Sequence, residues 1–485
     1  MTSRLIIGLI VSVLIGSVSS TVSAASDPTN FLFRKLSFSS EENNQLFRKT
    51  IDEVDALEFE EAGANSNSLV ANVEADNRID GLTFARVLAN AAIIYAQLEQ
   101  PKGALELINR SVSLVEEESV FHEDIYPLMM VKAQILIKQG ELAEAIDQLR
   151  RAQHITHRYG GVYSEQQTDA VDHIANVNTT LRNHLEADRQ QLFNLRISEN
   201  VLGADSIELV PRLEKIGAYF RSRGVSLPYA SDATFSETPS LDRKERADIF
   251  SQAIRHYNRA LTIQENAYGP SDIRLINTLR SLAKTRMAQI SGRRYAEDIL
   301  ERVVKIISSN PVADIPEHAV SLINLGDTYT INGNRNASET YLKAWDLLSQ
   351  TPELTNLRES IFSSVTRISP TIPPYNIIAR RPSKTQEGEE IFIRATFSVR
   401  PDGRVSDINL IEGNAPVDQK KLIRLWLRTS KFRPRIEERE FVLTEGLTTY
   451  QTFQVLEKEP AEPPPEESSP SPTALPEKVD ETESA

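Results

Sequence analysis

The chain has 485 residues, enough for about three domains of ~150 residues each, and 40% of them are hydrophobic. Its formal charge of −14, from 54 basic and 68 acidic side chains, argues against a protein that binds nucleic acid through the phosphates. The absence of cysteine excludes disulfide bonds, thiolate metal sites, cysteine nucleophiles and lipid attachment at a cysteine.

The chain begins with an apolar leader. Arg4 precedes an apolar run from Leu5 to Val18, and the small residues of Val22-Ser23-Ala24 stand before Ala25. This layout is typical of a secretory signal peptide over residues 1–24. A helix over the apolar run spans about 21 Å, less than the ~30 Å of a bilayer's hydrocarbon core, which favours cleavage over anchoring. We expect export to a periplasm; the alternative is an inner-membrane anchor facing the periplasm.

Residues 25–79 are predicted to be a helical lead-in. Ser39-Ser40-Glu41-Glu42 is a helix-start pattern, because serine accepts from a backbone amide of the first turn and acidic residues favour the helix N-terminus. The apolar residues that follow have helical spacing. We expect this helix to cap the first hairpin of the array that comes next, and Ser360–Ile368 to cap the last one.

Small residues then recur along the chain at spacings of 41, 42, 42, 66 and 43 residues. A second set follows in the next predicted helix of most units. Small residues at regular positions are typical of paired helices that pack closely, so the pattern predicts an array of helical hairpins over residues 80–370. The interval of 66 indicates an inserted loop at about 225–247. The first set is Ala92, Ala133, Ala175, Gly217, Ala283 and Gly326; the second is Ala104, Ala145, Ala253, Ala296 and Ala337.

The repeat is also visible directly, since Glu199-Asn200 with Gly203 recurs as Glu265-Asn266 with Gly269. This pattern resembles the long, kinesin-light-chain type of tetratricopeptide repeat. The resemblance implies a right-handed superhelix whose concave face binds an extended peptide or a partner helix; the alternative is an ordinary hydrated surface. The first-helix residues that it places on this face are Asp172, Asn176, Glu214, Arg221, Asn277, Arg280 and Lys284.

A second domain is predicted over residues 371–458, because the hydrophobic period there changes from helical to two. The predicted order is strand, turn, strand, helix, strand, a small α+β domain after a mainly α array. The helix has Leu422, Leu425 and Trp426 at helical spacing. In chain order these elements are Ile391–Val399, Pro401-Asp402-Gly403-Arg404, Val405–Glu412, Asp418–Thr429 and Leu447–Val455.

The turn sequence, Trp426 late in the helix and Phe432-Arg433-Pro434 after it are similar, in this order, to the C-terminal domain of TonB energy transducers. The resemblance implies a ββαβ domain that receives a segment of an outer-membrane transporter along its last strand. TonB has a membrane helix and a Pro-rich linker before this domain, whereas here a Pro-rich acidic stretch follows it. We expect that stretch, residues 459–485, to be a disordered tail. The implied strand-binding residues are Leu447, Thr449, Gln451, Thr452 and Phe453.

No motif in the sequence indicates catalysis, a cofactor or a metal. The seven histidines are scattered, and the chain has no Gly-rich phosphate loop and no nucleophile elbow. A basic run surrounds the predicted helix of the second domain. It is either a solvated face or a surface for an acidic peptide, an anionic lipid or a polyanionic wall polymer. The run comprises Lys420, Lys421, Arg424, Arg428, Lys431, Arg433 and Arg435.

These observations predict a non-enzymatic periplasmic scaffold that binds protein partners in an envelope or transport-related assembly, with a TonB-like domain that recruits one of them. The alternative is a TonB-type energy transducer that keeps its leader as an anchor, contacts the membrane through it and couples to outer-membrane transporters. The two differ at the leader, because energy coupling needs a membrane helix and the apolar run from Leu5 to Val18 is short for one.

Overall fold

The computed structural model describes residues 27–226, 239–310, 314–369, 377–378, 382, 386 and 388–455. The chain divides into two compact units between Glu359 and Ser360. The predicted signal peptide (1–24) and acidic tail (459–485) lie outside the described residues. No helix in the described ranges is both long and apolar enough to cross a membrane.

Seven helical hairpins follow one another in the described part of the first unit, and each hairpin packs against the next. The predicted array of hairpins is therefore confirmed. Its helix pairs are α1 (Glu41–Asp55) with α2 (Phe59–Ala75), α3 (Gly81–Gln97) with α4 (Pro101–Glu118), α5 (Ile125–Gln139) with α6 (Leu142–Gly160), α7 (Thr168–Thr180) with α8 (His184–Leu202), α9 (Val210–Ser226) with α10 (Pro239–Tyr268), α11 (Ile276–Ala288) with α12 (Arg293–Ser308), and α13 (Ile315–Asn332) with α14 (Ala337–Ser349).

The helix ends follow from local sequence. Asp80 and Asp314 each accept a hydrogen bond from a first-turn amide, at 2.8 Å in both cases. Such a side chain satisfies a donor that has no partner inside the helix. Gly140 and Gly333 end α5 and α13 with φ of 85° and 72°, a left-handed conformation that glycine adopts without steric cost.

The glycines of the first small-residue set lie where the two helices of a hairpin approach each other. A Cβ atom built on Gly217 would lie 2.8 Å from the Tyr257 ring, and one on Gly326 would lie 2.7 Å from the Tyr341 ring. Both rings are almost fully buried. At these positions the glycine makes room for a large aromatic side chain from the second helix.

Two expectations for the first unit need correction. The lead-in predicted over 25–79 holds a whole hairpin, α1 with α2, after a short 3₁₀ turn at Pro28–Phe31, rather than one capping helix. The predicted loop at 225–247 is also too long, because α9 continues to Ser226 and α10 begins at Pro239. Proline is tolerated at the first position of a helix, where its missing N–H would have no partner. Residues 227–238 lie outside the description.

The segment Ser360–Ile368, expected to cap the last hairpin, is helical only as far as Phe362. After α15 (Thr355–Phe362), Thr366 and Arg367 form strand β1, which pairs antiparallel with β5 (Phe432–Arg433) of the second unit. Val365 packs on the core of that unit. The boundary therefore lies earlier than residue 370, because the extended residues of the segment find backbone partners in the sheet domain.

The second unit is a small α+β fold, as predicted. A four-stranded sheet has the order β2-β8-β3-β4, in which β3 pairs antiparallel with β4 and β8, and β2 pairs parallel with β8. Two further two-stranded sheets are formed by β6 with β7 and by β1 with β5. No pattern in the sequence predicts β1, β2 or β5–β7. The bounds are β2 Ile377–Ile378, β3 Ile391–Val399, β4 Val405–Glu412, α16 Val417–Thr429, β6 Arg435–Glu437, β7 Glu440–Val442 and β8 Thr444–Val455.

Helix α16 is found at the predicted residues, but two of the three apolar residues that mark its period do not face the sheet. Ile423 and Leu427 are buried in the core with β3, whereas Leu422 and Leu425 are 44% and 48% exposed. Trp426 lies at the margin of this core, partly buried. Leu422, Leu425 and Trp426 have helical spacing, but so do Ile423 and Leu427. The second pair is the one that packs against the sheet. The outer face of α16 is consequently both apolar and basic.

We predict that Gly326→Ala destabilises the array. Its new methyl group would meet the ring of Tyr341, whose hydroxyl donates to Asp327 at 2.8 Å and therefore resists displacement. Overpacking of this kind costs about 1–3 kcal/mol. Thermal unfolding followed by circular dichroism measures the loss, and Gly81→Ala is the control, because a Cβ there meets nothing within 4 Å. Equal melting temperatures for both variants would contradict the close approach.

Candidate functional site

The first helices of neighbouring hairpins are joined by polar side chains. Asp172 on α7 accepts from Arg212 at 2.9 Å and from Lys215 at 2.6 Å, both on α9, and from Asn194 of α8 at 2.7 Å. Only 8% of Asp172 is exposed. A buried carboxylate with three donors is satisfied, so Asp172 holds hairpins together and offers little to a ligand.

Two further predicted residues make similar ties. Glu214 on α9 accepts from the hydroxyl of Thr278 on α11. Arg280 on α11 forms an ion pair with Glu317 on α13 at 2.7 Å and donates to Ser321 at 2.5 Å. Polar side chains therefore connect α7, α9, α11 and α13 in succession.

Three cations of these first helices lie close together: Arg221, Arg280 and Lys284, which we call the cationic cluster. Burial lowers the pKa of the Lys284 amine, and the neighbouring charges of Arg221 and Arg280 lower it further. Within the described residues, neither Arg221 nor Lys284 forms an ion pair with a carboxylate. Of the three cations in the cluster, only Arg280 has a carboxylate partner within the described part of the chain. The positive charges of Arg221 and Lys284 are not compensated by an ion pair there.

The remaining predicted residues of the array, Asn176 and Asn277, make fewer contacts with neighbouring polar groups. Asn176 on α7 is partly buried and Asn277 on α11 is exposed; neither side chain makes a hydrogen bond within the described residues. Tyr257 of α10, which sequence reasoning missed, interacts with the Arg221 side chain. Gly217 is the signal that could have found it, because a glycine on a first helix leaves space for a ring from the second.

A cavity of about 420 Å³ lies between α8, α9 and α10. It is lined by Asp188, Arg223 and Glu245, among others, with Lys244 exposed at its rim. Arg223 already pairs with both carboxylates, and Tyr219 donates to Asp188 at 2.7 Å. Because these polar groups satisfy one another, the cationic cluster is the stronger candidate for a binding site.

The last strand, β8, offers a second candidate through its backbone. Phe392 of β3 donates its N–H to Asn414 at 2.9 Å and accepts from the Ala415 N–H at 3.4 Å, so its backbone groups point toward the β4 side. Thr452 lies opposite Phe392, and in a non-hydrogen-bonded pair both residues point their backbone groups outward. The Thr452 N–H therefore faces the outer side of β8.

By the same alternation, the Tyr450 and Thr448 amides face outward and the Gln451 amide faces β3. Strand β2 pairs with β8 only at Gln454 and Val455. Within the described residues no strand pairs with the outer side of the segment 444–453. Among the described residues, β2 therefore pairs only with the end of β8, and the predicted use of this edge by a partner strand stays a prediction.

The side chains predicted for strand binding mostly serve the core of the second unit. Leu447 and Phe453 pack in its hydrophobic cluster, and Thr449 and Gln451 are partly buried on the same side of β8. Side chains alternate along a strand, so this face is the one covered by α16. Any added strand would then be held by backbone groups rather than by these side chains.

Residues for metal binding are not assembled in the described part of the chain. It holds no group of three or more histidine, aspartate or glutamate side chains arranged to hold a metal. Burial lowers the pKa values of two histidines, the buried His173 and the partly buried His256, to about 4 at His256. His256 stacks on Phe220 at 5.8 Å, a packing role.

No protein-family model and no curated protein matches the chain. Among solved structures, part of a TPR repeat-containing protein from Cytophaga hutchinsonii is 14% identical, covering 64% of this chain and 98% of that chain with a TM-score of 0.40. BtubC (BKLC) from P. vanneervenii is 15% identical over 52% of this chain and 90% of that chain, with a TM-score of 0.34. At such scores, the hairpin architecture rests on the helix packing of this chain itself.

We predict that Lys284→Met stabilises the first unit at pH 7, because it removes a partly buried cation beside two others. The gain should be on the order of 1 kcal/mol, a rise in melting temperature of about 1–4 °C. The pKa of Lys284 in the folded state lies below its unfolded value of 10.5. The charged amine therefore destabilises the fold fully at pH values below the folded pKa, and this destabilisation disappears as the pH rises toward 10.5. Melting curves at pH 7 and pH 10.5 should show the difference narrowing; a less stable variant at pH 7 would contradict a repulsive cluster.

Proposed function

We propose that the protein is a non-enzymatic scaffold whose helical array binds an acidic segment of a protein partner at the cationic cluster. The observation that carries this proposal is that Arg221 and Lys284 have no carboxylate partner in the described chain, although Lys284 is partly buried. Removing a charged group from water is unfavourable unless another charge compensates it. A carboxylate of the partner would supply that compensation.

The neighbouring side chains limit what the partner can look like. Arg280 already has Glu317, and Asp172 already has Arg212 and Lys215, so the uncompensated charge of this region belongs to the cluster. Two partner carboxylates are enough to neutralise the two unpaired cations, Arg221 and Lys284. The adjacent surface of α11 supplies polar groups such as the exposed amide of Asn277, which suit an extended peptide or a polar helix face.

The place of action that we propose is a periplasm. Its support is the leader sequence, in which Arg4, the apolar run and Ala24 match an export signal. The alternative, an inner-membrane energy transducer, requires that the same run stay in the membrane. A mass-spectrometric N-terminus distinguishes them, because a mature chain beginning at Ala25 has lost the apolar run that would contact a membrane motor.

For the second unit we propose partner recruitment by strand addition at β8, in line with its resemblance to the TonB C-terminal domain. The outward amides of Thr448, Tyr450 and Thr452 support this, since unpaired backbone groups at an edge can accept an incoming strand. The Gln451 side chain donates to the Thr452 carbonyl at 2.9 Å and would have to release it. A segment of an outer-membrane transporter is the partner that the resemblance suggests.

We predict that Lys284→Glu weakens partner capture by the array at least tenfold. The new carboxylate would lie beside Arg221 and Arg280 and neutralise them from within, so the fold should be kept. The measurement is quantitative mass spectrometry of proteins cross-linked to the chain in a periplasmic extract. Lys305→Glu, an exposed change on α12 with the same charge difference, is the control. Identical partner yields for the two variants would exclude the cluster.

We predict that Thr452→Pro abolishes strand addition and leaves the second unit folded, because it removes an amide that faces outward. Gln451→Pro should instead unfold the sheet, since its amide faces β3. Circular dichroism and limited proteolysis report folding, and a pull-down from a periplasmic extract measures capture. A folded Thr452→Pro chain with undiminished capture contradicts binding at this edge.

A further inference from the structure

The outer face of α16 combines exposed apolar and basic side chains. Its three apolar residues are among the most exposed large apolar residues of the second unit, with Val417 at 66% exposure. Three exposed cations lie beside them. A helix with apolar residues on both sides normally has a partner on both, and here the sheet covers one side only. We call this surface the α16 outer face, and it comprises Val417, Lys421, Leu422, Arg424, Leu425 and Arg428.

The cations of this face are largely uncompensated. Lys421 pairs with Asp418 at 3.2 Å, whereas Arg424 and Arg428 form no ion pair with any described residue. Helix α16 contains four cations and one acid. An occupant of this face should therefore be acidic and carry a few apolar side chains.

We propose that the α16 outer face is the docking site for the acidic segment 459–485 of the same chain. This segment has eight acidic residues against one lysine, so its charge is opposite to that of the face. Its first half contains four glutamates and no cation. The second half contains Leu475 and Val479, each close to acidic residues, which match a surface that is both apolar and basic.

The last strand of the sheet runs close to the start of α16 shortly before this segment begins in the sequence. Strand β8 ends at Val455, and its residue Thr452 lies opposite Phe392, whose carbonyl accepts from the Ala415 amide just before α16. Thr452 and Ala415 are thus about two strand spacings apart, roughly 10 Å at ~4.8 Å per strand. A chain of this length has an average reach of about 30 Å, and α16 is about 20 Å long.

Because the segment is part of the same chain, weak contacts are sufficient for it to occupy the α16 outer face. A segment joined by a short connection experiences an effective concentration in the millimolar range, so a weak interaction is occupied most of the time. Docking would cover Leu422 and Leu425 and neutralise Arg424 and Arg428. The same face would become available to an external acidic partner only after the segment is displaced.

The test compares two forms of the protein, the 485-residue chain and one that stops after Lys458. A fluorescent peptide with the sequence of residues 459–485 is titrated into each, and anisotropy measures binding at low salt and at 0.5 M NaCl. We expect the shortened chain to bind the peptide at least tenfold more tightly than the 485-residue chain, in which the segment already occupies the site. High salt should weaken binding, because the attraction is screened. Equal affinity of the two forms overturns the proposal.

Two variants of the shortened chain locate the site. Arg424→Glu with Arg428→Glu should reduce affinity at least tenfold, whereas Arg294→Glu with Lys305→Glu, an equal charge change on exposed positions of α12, should not. If the first pair does not fold by circular dichroism, Leu422→Ser with Leu425→Ser replaces it and should also weaken binding. Absence of peptide binding to the shortened chain, or equal binding by all variants, overturns the proposal.

Other occupants of the face give distinct results. Binding of the shortened chain to phosphatidylglycerol vesicles without binding of the peptide would assign the face to an anionic membrane and overturn the proposal. A 485-residue chain that is dimeric by light scattering and becomes monomeric on shortening would assign it to a second copy, which also overturns the intrachain form. The proposal of intrachain docking is supported if the 485-residue chain is monomeric and the shortened chain binds the peptide more tightly.

Discussion

The close approach of two helices within a hairpin is the constraint on which the rest of the array depends. At Gly217 and Gly326 the first helix has no side chain, and the rings of Tyr257 and Tyr341 occupy that space. Burial of such a ring is a large apolar contribution, and its hydroxyl must then find a partner: Tyr341 donates to Asp327. The contact that joins the helices therefore also fixes polar groups along the first helices.

This arrangement explains why the predicted binding residues differ in role although they share the first helices. Asp172 is surrounded by donors because the next hairpin brings Arg212 and Lys215 over it. Arg280 finds Glu317 in the same way. Lys284, one turn further along α11, meets the charge of Arg221 instead of a carboxylate. Equivalent helices of successive repeats therefore carry both kinds of residue: some are paired between hairpins and others have an uncompensated charge. The residue that the neighbouring repeat places next to each one decides which kind it is.

Sequence periodicity predicts the elements well and their partners poorly. The spacing of small residues locates the hairpins, and the alternation from Ile391 to Val399 locates β3 and its buried face. The ion pair of Arg280 with Glu317 joins different repeats, so no local pattern contains it. Strand β1 lies where a helical cap is predicted, because two extended residues have no period of their own. Such contacts are decided by tertiary neighbours.

Helix α16 shows most clearly that a helical period alone does not decide which face of a helix is buried. Leu422, Leu425 and Trp426 satisfy a helical period, but so do Ile423 and Leu427, and only packing on β3 selects between them. A helix with two apolar faces is costly in solubility unless something covers the second one. The cations beside Leu422 and Leu425 reduce the loss of solubility. They also favour an acidic segment as the one that packs on this face. The ambiguity of the pattern is therefore a property of the molecule, because α16 has one more apolar face than its own sheet covers.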